Sequence, residues 1–97
     1  MVNKNLTIID KKIQKIKEKL SVIGDMRPGA LTKQFPKNGK KGYYQISYTY
    51  QMKSKTEYVK PDMVIKIKKE ISQYKKFKDL VQLWIDLAIE KSKLEKV

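Results

Sequence analysis

Residues 43–60 read YYQISYTYQMKSKTEYVK, and the fold turns on how this stretch is taken. Tyr44, Ile46, Tyr48 and Tyr50 alternate with Tyr43, Gln45, Ser47, Thr49 and Gln51. A period of two, with aromatic and β-branched residues on one side, is the pattern of a strand buried on one face. It predicts a strand over 43–52, a turn around Lys53-Ser54 and a further strand over 55–60. Upstream, residues 30–35 put Leu31, Lys33 and Phe35 on one side and predict a first, short strand. Pro36-Lys37-Asn38-Gly39-Lys40-Lys41-Gly42 lies between them, and its Asn-Gly pair is a hairpin signal. Connections this short imply a three-stranded antiparallel meander over 30–60.

Helical patterns flank the strands. Leu6, Ile9, Ile13, Ile16, Leu20 and Ile23 recur in steps of three and four, the seam of an amphipathic helix over 6–23. Asn5 or Thr7 can cap its start and Gly24 suits the position after its end. Beyond the strands, Pro61 and Asp62 fit a helix start. Val64, Ile67, Ile71, Tyr74, Phe77, Val81, Trp84 and Ala88 then carry a helical pattern over 61–95. Its seam shifts near Lys75-Lys76, so the helix either bends there or pairs its distal half with the first helix or a second subunit. The expectation is one α+β domain over 1–97, ordered α-β-β-β-α. Its meander packs on a long C-terminal helix, with an amphipathic helix at the N-terminal end.

Composition narrows the chemistry. The 97 residues hold 23 Lys+Arg against 10 Asp+Glu, a net +13, with no His and no Cys. Zinc fingers, thiol nucleophiles, Ser-His triads and disulfide scaffolds therefore all drop out. Asp86 and Glu90 are one helical turn apart, but among lysines they read as solvating or i,i+4 groups. The glycine spacings match no phosphate-cradling loop. The reading is of a non-enzymatic protein with no cofactor and no metal. No apolar stretch is long enough for a signal peptide or a membrane span, so the expected setting is the cytoplasm, without a membrane partner.

The charge is uneven. Residues 26–60 carry eight basic groups against Glu57 alone, whereas residues 79–97 carry three lysines against four acids. Clustered positive charge points to a polyanion, and nucleic acid is the expected partner, DNA ahead of RNA. Lys33, Lys37, Lys40, Lys41, Lys53, Lys55 and Lys60 are the candidate phosphate contacts. Tyr43, Gln45, Ser47, Thr49 and Gln51 are the candidate base-reading face, because amide, hydroxyl and phenol groups match base edges. Arg27 is the only Arg among 23 basic residues and the best candidate for a specific contact, with a salt bridge to Asp25 or the long helix as its structural alternative. So strong a bias to Lys favours backbone attraction over dense base readout. About five lysine contacts would give a log–log salt slope near −4 to −5.

The C-terminal helix is apolar around more than one stripe through Leu80, Leu83, Trp84, Leu87 and Ala88. A helix of that kind is buried on two sides, which favours a homodimer formed through these residues.

A three-stranded sheet followed by a packed helix, with basic turns, is similar to the arm-type DNA-binding domains of tyrosine recombinases and to plant-type sheet readers. Four ordered segments resemble a more particular group. They are Met26-Arg27-Pro28-Gly29-Ala30-Leu31, Gly42-Tyr43-Tyr44-Gln45-Ile46-Ser47-Tyr48, Lys55-Thr56-Glu57-Tyr58-Val59 and Tyr74-Lys75-Lys76-Phe77-Lys78-Asp79-Leu80. They resemble a small bacterial and archaeal domain family, without an assigned activity, found near transposases and other mobile elements. Many of its members carry a cysteine-rich loop where this chain has Lys37 to Gly42, so no metal role transfers. The resemblance implies an accessory or regulatory factor of a mobile element or phage-like locus, with a mobile-element protein as a further partner. The alternative function is a protein-interaction module, a helical dimer whose basic surface meets an acidic protein.

Overall fold

The computed structural model describes residues 4–95. The elements are α1 (Lys4–Ser21), β1 (Ala30–Gln34), β2 (Tyr43–Tyr50), β3 (Lys53–Val59), a 3-10 turn (Pro61–Met63) and α2 (Val64–Glu95). This is the α+β order α-β-β-β-α. The chain divides into two compact units. One is Gly24–Lys75; the other joins the chain before it to the chain from Lys76 onward. The division falls inside α2, at the Lys75-Lys76 position where its apolar seam shifts.

Gly24–Lys75 holds an antiparallel sheet in the order β1-β2-β3. Ala30 to Gln34 pair with Ser47 back to Tyr43, and Tyr44 to Tyr50 pair with Val59 back to Lys53. Ile46, on the central strand, is completely buried. Val59 and one helical stripe, Val64, Ile67 and Ile71, close over it, with Leu31 and Tyr44 packed at the margin. The steps of three and four in α2 thus meet the period of two in β2 at a single side chain. Pro61 opens the 3-10 turn that feeds α2, and the Met63 amide donates to the Lys60 carbonyl at 2.9 Å.

Several boundaries differ from the periodic reading: β3 runs Lys53–Val59 rather than 55–60, leaving Lys60 outside it, and α2 proper begins at Val64 after the 3-10 turn rather than at 61. Helix α1 ends at Ser21 rather than 23. There the Ser21 hydroxyl donates to the Glu18 carbonyl (2.6 Å), and the next two amides tighten to i−3 bonds. The proposed caps Asn5 and Thr7 lie within the helix. Strand β2 stops at Tyr50, and the turn is Gln51-Met52 rather than Lys53-Ser54. Tyr50 pairs directly with Lys53, leaving a two-residue connection with both residues at positive φ, 51° and 65°. That is the backbone twist a tight hairpin needs, supplied by residues with a Cβ at roughly 1–2 kcal/mol each. Gln51 is consequently a turn residue and not part of the strand face. Strand β1 likewise stops at Gln34, leaving Phe35 outside it and largely exposed.

In the other unit, α1 buries Ile9, Ile13 and Ile16. The α2 segment beyond Lys75 runs antiparallel to it, since Asp10 meets Lys91 (2.7 Å) while Lys17 Nζ sits 5.3 Å from the centre of the Trp84 ring. The Asp10 carboxylate, hydrogen-bonded to Lys91, holds that ammonium above the ordinary lysine range. Among the described residues no helix is long and apolar enough to cross a membrane.

Candidate nucleic-acid interface

The pairing register sorts the side chains of the sheet onto two faces, because directly opposed residues point the same way. Around buried Ile46 stand Tyr44, Tyr48 and Tyr50 from β2, Leu31 and Lys33 from β1, and Lys53, Lys55, Glu57 and Val59 from β3. The opposite face carries Ala30, Thr32 and Gln34 from β1, then Tyr43, Gln45, Ser47 and Thr49 from β2, then Ser54, Thr56 and Tyr58 from β3. Its centre is the row Ala30–Ser47–Thr56, beside the row Thr32–Gln45–Tyr58.

This second face contains no charged residue. It is a surface of hydroxyl, amide and phenol groups in a unit that holds twelve Lys and Arg against four Asp and Glu, a net +8. Tyr43 and Tyr58 lie against each other there, ring centres 6.1 Å apart and planes tilted by 47°. The Gln34 amide donates to the Thr32 hydroxyl at 3.1 Å. Neither of these contacts uses up the face, and most of it stays exposed.

The lysines expected around the face divide into two groups. Lys37, Lys40 and Lys41 occupy the β1–β2 connection, and Lys60 follows Val59. Gln34 pairs with Tyr43 and Val59 with Tyr44, so these four lysines share one end of the sheet. Gly42 shapes the neck of the connection: a Cβ there would come within 2.8 Å of the Gln34 carbonyl oxygen. Lys33, Lys53 and Lys55 belong instead to the face around Ile46. Lys33 Nζ lies 5.6 Å from the Tyr44 ring and 5.5 Å from the Phe35 ring, and Lys55 Nζ lies 5.5 Å from Tyr50. At such distances a cation is drawn to the ring face.

Arg27 is held on that same side. It pairs with Glu57 and lies 5.0 Å from the centre of the Tyr48 ring, while its amide donates to the Glu70 carbonyl at 3.1 Å. The sequence offered Asp25 or the long helix as its anchor; the carboxylate it finds is Glu57, and the helix contributes through its backbone. The guanidinium, bonded to Glu57, is held above its ordinary range. Glu57 is held below the usual carboxylate range by Arg27 first and by the Tyr48 hydroxyl second, which donates to it at 2.9 Å. Tyr48 is pushed above the ordinary phenol range by that bond to Glu57.

Two pH dependences follow with opposite senses. The Glu57 contribution is complete above the ordinary carboxylate range and fades as pH falls through its depressed value. The Tyr48 contribution is complete below about pH 10 and fades as pH rises through its raised value. Glu57→Gln is expected to lower the Tyr48 titration midpoint, because the anion is gone and the Arg27 cation remains over the ring. NMR of the Tyr48 ring carbon against pH measures this; an unmoved midpoint would mean that Glu57 does not govern the phenol.

The sequence reading reached only the β2 part of the uncharged face. Thr32, Gln34, Ser54, Thr56 and Tyr58 complete it, and antiparallel pairing was the signal that could have found them. The apolar residues assigned to a dimer interface also separate. Leu83 and Leu87 line one groove beside α1, whereas Trp84 and Ala88 line another, with Leu80 half-buried. Among the described residues no group of three or more His, Cys, Asp or Glu could hold a metal ion. No family model, curated protein or solved structure matches this chain.

Proposed function

We propose that this protein binds double-stranded DNA through the uncharged face of its sheet, as an accessory factor in the mobile-element setting that the family resemblance implies. The observation that carries the reading is a face without a single carboxylate, bordered at one end by Lys37, Lys40, Lys41 and Lys60, in a unit of net +8. Phosphate contacts position a protein on DNA, while amide and hydroxyl groups read base edges. Three strands spaced about 4.8 Å apart place the outer two about 10 Å from one another. A major groove about 12 Å wide admits a two-stranded ribbon, so two adjacent strands of this sheet would enter it together. Of the unit's four acids, Glu57 is turned to the other face and neutralised by Arg27, and Asp25, Asp62 and Glu70 lie outside the strands. A second reading rests on the exposed Tyr43–Tyr58 pair, which offers a stacking surface to single-stranded bases.

Fluorescence anisotropy with duplex DNA, single-stranded DNA and duplex RNA at several salt concentrations tests both. Four lysines on phosphates give a log–log slope of about −3.6 on duplex DNA. Tighter binding to the single strand would transfer the function to the second reading, and no retention of any of them at low salt would end both.

A further inference from the structure

The two helices of the second unit leave a groove on each side of their contact. α1 buries Ile9, Ile13 and Ile16, whereas the buried residues of α2 are Val64, Ile67 and Ile71, all before Lys75. From Lys76 to Glu95 no described residue is buried, although Leu80, Val81, Leu83, Trp84, Ile85 and Leu87 follow one another there. One groove, beside Trp84 and Ala88, is bridged from α1 to α2 by Lys91 on Asp10 and by Lys17 over Trp84. The other groove is open, with a floor of Ile16, Leu83 and Leu87, and Leu83 remains 52 % exposed.

The rims of this groove carry opposite charge. α1 supplies Lys12, Lys15 and Lys19; α2 supplies Asp86 and Glu90. Asp86 accepts a hydrogen bond from Gln82 at 2.9 Å. Among the described residues no ion pair within 4.0 Å joins one rim to the other. The basic rim and the acidic rim therefore flank the apolar floor rather than closing over it.

We infer that the occupant of this groove is a second copy of the same chain. A two-fold axis parallel to the helices carries α1 over the other copy's α2 and α2 over its α1. Each basic rim then meets an acidic rim, twice, across a shared apolar floor. A two-fold axis perpendicular to the helices would instead set like rims against each other, and like-charge juxtaposition selects against it. A closed two-fold pair is the commonest assembly, and the product is a four-helix bundle in which every neighbour runs antiparallel. An unrelated helix with one sign of charge would satisfy only one rim, which is why the self-complementary partner is favoured. The inference does not depend on DNA binding.

Charge reversal tests it. Sedimentation velocity at low salt should give the unaltered chain twice its 11.4 kDa monomer mass. Reversing the basic rim (Lys12→Glu, Lys15→Glu, Lys19→Glu) or the acidic rim (Asp86→Lys, Glu90→Lys) should weaken self-association roughly a hundredfold or more. Mixing the two reversed chains should restore a dimer, and so should both reversals in one chain. The single reversals distinguish the two axes, since across a perpendicular axis they would only exchange one like-charged contact for another, whereas across the parallel axis they turn attraction into repulsion that the combined chain relieves. Circular dichroism of each variant checks that the helices persist, and Leu83→Asp should dissociate the pair without touching either rim. A wild-type chain that stays at 11.4 kDa at high concentration, or rim variants that dimerise as well as wild type, would overturn the proposal.

Discussion

Gly29→Ala is expected to cost about 2–4 kcal/mol of folding stability, read from urea unfolding of the whole chain. Two independent penalties combine. Gly29 sits at φ +144°, in a region that L side chains avoid, and leaving it requires the entry to β1 to rotate. A Cβ there would also lie 2.8 Å from Ile46 Cγ1, 2.9 Å from its Cδ1 and 3.2 Å from the Ser47 carbonyl oxygen. Ile46 is completely buried and packed by Val59, Val64, Ile67 and Ile71, so its side chain has nowhere to retreat. Overpacking a filled core costs about 1–3 kcal/mol on its own. The same contact predicts coupling. Ile46→Ala alone should cost roughly 2–5 kcal/mol through lost burial and a cavity. In that background Gly29→Ala should cost clearly less, because the two carbons it would strike are gone. Additive costs in the double variant would show that the φ constraint, not the contact with Ile46, fixes glycine at 29.

The residues of that contact also show where sequence suffices and where it stops. Ile46 as the buried centre, Tyr44 beside it and Val64, Ile67 and Ile71 across from it are all legible, because two periodicities allow one burial solution. The Gln51-Met52 turn is not legible. Its residues lack the Asn, Asp or Gly signature, and only pairing of Tyr50 with Lys53 shows that the backbone accepts positive φ twice. The basic set divides for the same reason. Treated as points along a chain, Lys33, Lys53 and Lys55 join Lys37, Lys40, Lys41 and Lys60 in one patch. Once strands are paired, the strand lysines turn to the side of Ile46 and the loop lysines gather at one end. Arg27 meets Glu57 thirty residues away, with its amide bonded to the Glu70 carbonyl, and no local pattern encodes that distance. In α2, helical spacing identified Leu83, Trp84, Leu87 and Ala88 as apolar, but which side of the helix pair each occupies depends on where α1 lies.

A single carboxylate at the middle of the uncharged face should separate the DNA-binding reading from simple attraction to a basic protein. Ser47 stands between Ala30 and Thr56 in the central row, exposed and outside the core around Ile46. Ser47→Glu should therefore leave unfolding free energy within about 0.5 kcal/mol of wild type, as for surface positions generally. If this face lies against DNA, the new anion meets base edges and phosphates in a site that water has left. Duplex affinity should then fall roughly tenfold to a hundredfold, with the salt slope nearly unchanged because no lysine has been removed. Lys40→Gln with Lys41→Gln should behave in the opposite manner. Affinity should fall mainly at low salt, and the slope should become shallower by about 2 as two phosphate contacts disappear. Lys53→Gln with Lys55→Gln, on the other side of the sheet, should change the slope least. A delocalised cloud of thirteen net charges predicts none of this pattern. In that case Ser47→Glu would cost no more than any other loss of charge, and both lysine pairs would reduce the slope equally. Wild-type affinity in Ser47→Glu would remove the sheet face from the interface, whatever the salt dependence of binding proved to be.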